Sequence, residues 1–219
     1  GSPTVPSTTP DWRQEGNKPN ISFGASVAGA GYLNADDYAD FVVGAPLYST
    51  DLLSNAGAFY VYYGSADGPV DTLAGEPWDI GQEAAGKLGS SVAIAGDVNG
   101  DGYDDVLVGE PYANNDILLD TGKVYLYLGG AERLDYAPSW SFTDTGLRGG
   151  DKLGSSVAGA GDLNGDDCAD VAIGAPGYNA EGLLDAGRVY VFFGCQEGTL
   201  GGLNAVPDWQ YSPPKEYSG

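Results

Sequence analysis

An all-β chain built from three repeated four-stranded antiparallel units is predicted by three features of this 219-residue sequence. Short apolar runs rich in β-branched and aromatic residues recur between glycine-bounded turns. The runs return at a fixed spacing of 65 residues, which marks an internal repeat. Glycine is 36 of 219 residues, about twice the usual fraction, as many tight turns require. No stretch carries sustained helical periodicity.

Each unit opens on an apolar residue and a glycine: Phe23-Gly24, Leu88-Gly89 and Leu153-Gly154. A first strand follows, read as 91–95 in the second unit and 156–160 in the third. The second strands, 105–109 and 170–174, end in the triplets Gly109-Glu110-Pro111 and Gly174-Ala175-Pro176, matched by Gly44-Ala45-Pro46 in the first unit. Third strands at 58–64, 124–129 and 189–194 place Tyr and Phe in the core instead of long aliphatics. Fourth strands are marked by Pro77-Trp78, Pro138-Ser139-Trp140 and Pro207-Asp208-Trp209. Four short strands per unit, joined by Gly-rich turns, describe β-propeller blades. The expected divisions are blades at 20–84, 85–149 and 150–219.

Pro10-Asp11-Trp12 repeats the fourth-strand signature. Residues 10–14 are therefore expected to form an extra N-terminal outer strand, within a connecting segment at 10–19. It would belong to a preceding blade or pair with a partner chain. Residues 1–9 read as a cloning remnant, Gly1-Ser2, and a polar linker. Three blades do not surround an axis, and propellers carry four to eight. The ring is expected to be completed by a second copy of the chain, as a six-bladed homodimer, or by further blades.

The turns between first and second strands carry the chemistry. In 97–105 and 162–170, oxygen-bearing side chains stand at positions 1, 3, 5 and 9: Asp97, Asn99, Asp101 and Asp105, then Asp162, Asn164, Asp166 and Asp170. Calcium takes 6–8 hard oxygen ligands and tolerates irregular geometry. Alternate side chains of a tight loop converge on one centre, and position 7, Tyr103 or Cys168, would give its backbone carbonyl. Position 6 must turn sharply, which suits Gly102 and is tolerable for Asp167. An EF-hand is excluded, because position 12 is Val108 or Ile173 instead of Glu and the flanks are strands. The competing reading is an acidic turn that binds nothing, since Asp, Asn and Gly are ordinary turn residues; two loops in register argue against it. A third loop, with Asn34, Asp36, Tyr38 and Asp40, has Tyr32 at position 1 and so forms a weaker site. The expected cofactor is Ca2+, at two sites with a third weaker one.

With Phe23-Gly24, Gly44-Ala45-Pro46 and the Asp loops in place, the chain resembles the FG-GAP repeat family, the blades of integrin alpha-subunit β-propellers. The resemblance covers residues 20 to about 211. It implies that calcium braces the loop between the first two strands of a blade, on the residues named above. It also implies an adhesion or protein-interaction role for a secreted or cell-surface domain. The carbohydrate-binding alternative would use Trp78, Trp140 and Trp209 to stack on sugars.

Composition excludes other classes. With 31 acidic and 9 basic residues, net −22, the chain suits neither nucleic acid nor an anionic membrane surface. No apolar stretch reaches 18 residues, so no membrane insertion is expected. The chain has no His, which removes Ser-His-Asp and Cys-His nucleophilic sites and His-ligated metals. Carboxylate pairs suited to glycoside hydrolysis fall at the metal-loop positions, and no enzyme activity is expected. Gly29-Ala30-Gly31 and Gly159-Ala160-Gly161 lack the third glycine and the helix of a nucleotide loop. Cys168 and Cys195 share the index sum of the Ala172–Val191 pair in mid-hairpin. They are expected to form a disulfide across the ladder, in keeping with an oxidising compartment.

Overall fold

The structure, a computed structural model, describes residues 9–115, 117–144, 146, 148–180 and 183–214. It shows three four-stranded antiparallel sheets. The first holds β1 (Ser26–Gly31), β2 (Asp40–Ala45), β3 (Ala58–Tyr62) and β4 (Asp79–Ile80). The second holds β5 (Ser91–Gly96), β6 (Asp105–Glu110), β7 (Lys123–Tyr127) and β8 (Trp140–Phe142). The third holds β9 (Ser156–Gly161), β10 (Asp170–Ala175), β11 (Arg188–Phe192) and β12 (Trp209–Tyr211). Within each sheet the strands pair in chain order, a blade meander. Among the described residues, no helix is long and apolar enough to cross a membrane.

The second strands read as continuous apolar runs because both faces are covered. β6 is buried along its whole length. Val106 and Val108 pack into a core with Val42, Phe59 and Val61 of blade one. Leu107, on the opposite face, packs with Val171, Ile173, Tyr190 and Phe192 of blade three. The two main cores therefore lie between blades, and each blade contributes one face to each neighbour.

The first strands are rich in Ala and Gly because they approach most closely. A Cβ on Gly159 would lie 2.6 Å from the Ile94 carbonyl oxygen, and one on Gly31 would lie 2.7 Å from Ile94 Cγ2. Each first strand also ends in a bulge. The ladder passes from Gly29 to Gly31, from Ile94 to Gly96 and from Gly159 to Gly161, skipping Ala30, Ala95 and Ala160. This is the structural meaning of the Gly-Ala-Gly runs: one extra residue bends the strand into the acidic loop.

The joints between blades repeat as well. Ser26 Oγ donates to the Gly89 carbonyl at 2.8 Å, and Ser91 Oγ donates to the Gly154 carbonyl at 2.7 Å. Trp78 Nε1 donates to the Asp135 carbonyl at 2.9 Å, and Trp140 Nε1 to the Asn204 carbonyl at 3.0 Å. Parallel bridges join Gly57 to Leu88 and Gly122 to Leu153.

One sequence expectation is corrected. Residues 10–14 form no strand. Trp12 packs edge-on against Phe41 and Tyr62, with ring centroids 5.6 and 5.4 Å apart. An outer strand needs a third strand to pair with, and β3 already pairs with β4. Ring packing on the outward face of blade one is what remains. Most of the expected linker at 1–9 lies outside the described residues.

Candidate functional site

The three acidic loops occupy the same place, between the first and second strands of each blade. In the second loop, Asp97 Oδ1 accepts from the N–H groups of Gly100 and Asp101 at 2.7 and 3.0 Å, and Oδ2 accepts from Gly102 at 2.8 Å. Asn99 Oδ1 accepts from Asp101 N–H at 3.0 Å, while Asn99 Nδ2 donates to Asp101 Oδ2 at 2.9 Å. Tyr103 N–H donates to Asp101 Oδ1 at 3.0 Å. The third loop repeats the pattern: Asp162 accepts from Gly165, Asp166 and Asp167, and Asn164 Nδ2 donates to Asp166 Oδ2 at 2.8 Å. These N–H groups hold the Asp162 carboxyl below the usual range, with Gly165 contributing most. Gly102 and Asp167 both take the left-handed conformation, φ +94° and +70°, as position 6 demands. The first loop keeps the Asn34–Asp36 and Asp36–Tyr38 bonds. It does not repeat the left-handed turns, which at Ala35 and Asp37 would fall on non-glycine residues.

Beneath each loop sits the position-9 carboxylate, buried in Asp40, Asp105 and Asp170. Asp105 Oδ2 accepts from Val98 N–H and Oδ1 from Gly129 N–H, both at 2.9 Å. Asp40 takes the same pair from Leu33 and Gly64, and Asp170 from Leu163 and Gly194. Each aspartate thus ties its loop to the end of the third strand. Burial pushes the Asp105 carboxyl up to about 7, against those two N–H groups, with Asp101 and Asp97 adding to the rise. Burial also raises Asp40.

The donors are hard oxygens, as calcium requires. The loops do not form a closed acidic cage: among the described residues no three His, Cys, Asp or Glu side chains gather to hold a metal. The side chains of positions 3 and 5 bond each other, and the carboxylates of positions 1 and 5 rest on backbone N–H groups of the same turn that leave further lone pairs free.

Sequence reasoning missed two acidic residues. Asp104, at position 8 of the second loop, reaches across the blade joint: its Oδ2 accepts from Tyr32 N–H at 2.8 Å, and its own N–H donates to the Tyr32 carbonyl at 2.9 Å. It brings a carboxylate to the loop whose position 1 is Tyr32. The signal was present in the repeat, because position 8 is Ala39 or Ala169 in the other loops. Glu110 replaces the Ala45 and Ala175 of the other blades and is buried. Tyr125 Oη donates to its Oε2 at 2.8 Å, while Oε1 has no partner. Burial pushes this carboxyl up to about 7, and Glu83 and Asp79 add to the rise.

Cys168 and Cys195 are disulfide-bonded, with Cα atoms 5.9 Å apart, in the register their index sum gave. Cys195 N–H donates to the Val98 carbonyl at 2.8 Å, so the bridge also steadies the neighbouring loop. The sugar-stacking role for the three Trp is corrected for two of them: Trp78 and Trp140 are buried at blade joints, and Trp209 alone of the three is exposed.

The family model for the FG-GAP repeat matches residues 88–127 and 153–192. The chain is similar to integrin alpha-PS5 of Drosophila melanogaster, 33% identical over 75% of this chain and 16% of that protein. It is similar to integrin alpha-2 of Bos taurus, 36% identical over 75% of this chain and 14% of that protein. It is also similar to phosphatidylinositol-glycan-specific phospholipase D of Bos taurus, 36% identical over 74% of this chain and 19% of that protein. The chain therefore spans less than a fifth of the length of these curated relatives.

Proposed function

The chain is an FG-GAP repeat protein, and from that premise we propose that it is an extracellular, non-catalytic module for adhesion or protein–protein interaction whose acidic loops take calcium. The supporting observation is the shared fold of the two complete loops, each with oxygen donors at positions 1, 3 and 5 above a buried position-9 aspartate. The proposed ligands are Asp97, Asn99, Asp101, the Tyr103 carbonyl and Asp105, and Asp162, Asn164, Asp166, the Cys168 carbonyl and Asp170. A weaker site uses Asn34, Asp36, the Tyr38 carbonyl and Asp40, with Asp104 as an added carboxylate. Bound calcium supplies positive charge that offsets repulsion among the clustered carboxylates. The chain's own part is to hold those oxygens on the backbone and to lock each loop to its third strand. The integrin-like relatives support a protein partner and a secreted or cell-surface location, and the disulfide agrees with an oxidising compartment. The absence of His in the sequence and the commitment of its conspicuous acidic pairs to the loops support a non-catalytic reading.

The test is a calcium titration by calorimetry, with melting followed in calcium and in chelator. Calcium at ten times its dissociation constant stabilises by about 1.4 kcal/mol per site if the unfolded chain does not bind it. Asp101→Ala and Asp166→Ala should each remove most of one site's contribution. Identical melts in calcium and chelator would sink the reading.

A further inference from the structure

We propose that a cleft at the head of the first strands, between Lys87, Tyr112 and Lys152, binds a carboxylate side chain on a short acidic segment of a protein partner. Such a ligand gives the protein-interaction reading, on which this rests, a partner of defined chemistry. The cleft is remote from the calcium loops. Lys87 and Lys152 precede β5 and β9, whereas the acidic loops follow those strands. A six-residue strand separates the two ends by about 20 Å.

Charge singles this cleft out. The chain has 31 acidic and 9 basic residues, yet among the described residues no Asp or Glu lines the cleft, whose volume is about 430 Å³. That volume falls within the range of ligand sites, about 300–1,000 Å³. Pro46 and Leu47 of blade one and Pro111 and Tyr112 of blade two give it an apolar wall, and Lys87 supplies a cation. Lys87 Nζ lies 3.9 Å from the centre of the Tyr112 ring, and Lys152 Nζ lies 5.3 Å from the same centre. A ring attracts one ammonium; a second beside it adds repulsion that a bound anion relieves. Among the described residues neither lysine forms an ion pair.

The backbone holds both cations in place. Lys87 N–H donates to the Asn55 carbonyl at 3.2 Å, and Lys152 N–H donates to the Asp120 carbonyl at 3.1 Å. Ser90 Oγ donates to the Lys87 carbonyl at 2.7 Å, and Ser155 Oγ to the Lys152 carbonyl at 2.8 Å. Both lysines take the left-handed conformation, φ +60° and +54°. Ser22 holds the equivalent place in the first unit at φ +54°, so the turn itself needs no lysine. The walls come from blade two and the blades on either side of it, all within this chain. They owe nothing to what precedes blade one or follows blade three. The net charge of −22 repels a long polyanion. A single carboxylate flanked by apolar side chains instead matches both the cations and the wall.

Selection of a random peptide library displayed on phage against the full chain, with calcium present, tests the proposal. Selected peptides should carry Asp or Glu beside apolar residues and should weaken about tenfold when that acid is changed to its amide. Lys87→Ser and Lys152→Ser should each weaken binding by a similar factor, about tenfold, while the variants melt as the wild type does. Lys87→Arg combined with Lys152→Arg should keep the binding, and added salt should weaken it. Selected peptides without an acidic residue, or held equally by the wild type and the doubly serine-substituted chain, would overturn the proposal and leave the protein-interaction reading standing. A sulfated oligosaccharide bound more tightly than any selected peptide would overturn the assignment to a protein carboxylate. Selection of no peptide at all would count against the site and against that reading together.

Discussion

At the level of single residues, the position-9 aspartates have a duty that metal does not explain. Asp105 satisfies two backbone N–H groups from two different elements, Val98 in the loop and Gly129 beyond β7. Asp105→Ala leaves both donors buried without an acceptor, at a cost on the order of 3 kcal/mol. In chelator, melting should therefore fall far more for Asp105→Ala than for Asp101→Ala, whose carboxylate lies in an exposed turn. Equal losses in chelator would show that Asp105 has no such metal-independent duty. Glu110 makes a second case. Its folded-state value of about 7 lies above the ordinary 4.5, so the folded chain holds this proton more tightly than the unfolded chain. Its contribution is fully present below about 4.5 and is lost as pH rises through 7. Glu110→Gln should flatten that fall in denaturant melts across the same window, and an unchanged slope would refute the assignment. The loop aspartates were legible from spacing alone, because alternate positions of one turn are local. Glu110 and Asp104 were not, because the partner of Asp104 stands in a neighbouring blade and the burial of Glu110 follows from packing rather than from loop spacing.

Elements show the same division between local and distant information. First, second and third strands are readable because each is an apolar run closed by glycine, and the ladder follows the index sum of its hairpin. The bulges at Ala30 and Ala160 were visible only as Gly-Ala-Gly runs without a purpose, and the one at Ala95, in Ile94-Ala95-Gly96, carried no such mark; their reason is the change of direction into the acidic loop. The fourth strands are two or three residues long, too short for a periodicity signal, and Pro with Trp marked them instead. That mark misled at residues 10–14, where Trp12 keeps its ring contacts but has no strand to pair with. A Trp fixes which joint a segment fills, while a ladder also needs a free edge. The disulfide spans 27 residues, and closing such a loop stabilises by about 3.5 kcal/mol in the chain-entropy account.

Across the whole molecule, stability should grade from the middle to the ends. Repeat arrays draw much of their stability from nearest-neighbour interfaces, and among the described residues blade two has two while blades one and three have one each. Blade one recovers part of the loss through Ile21, Phe23 and Trp12 on its outward face. Among the described residues blade three has no such cover: β12 is exposed along its length and β9 is largely open. Local opening free energy follows buried contacts and covered hydrogen bonds. Hydrogen exchange under native conditions should therefore find amides of β6 and β7 slowest, those of β2 and β3 next, and those of β12 fastest. Reducing the Cys168–Cys195 bond should speed exchange in β10 and β11 while leaving β6 near its original rate. Exchange that is uniform across the three sheets would mean that the chain opens only as one unit, and that the exposure of β12 costs blade three nothing.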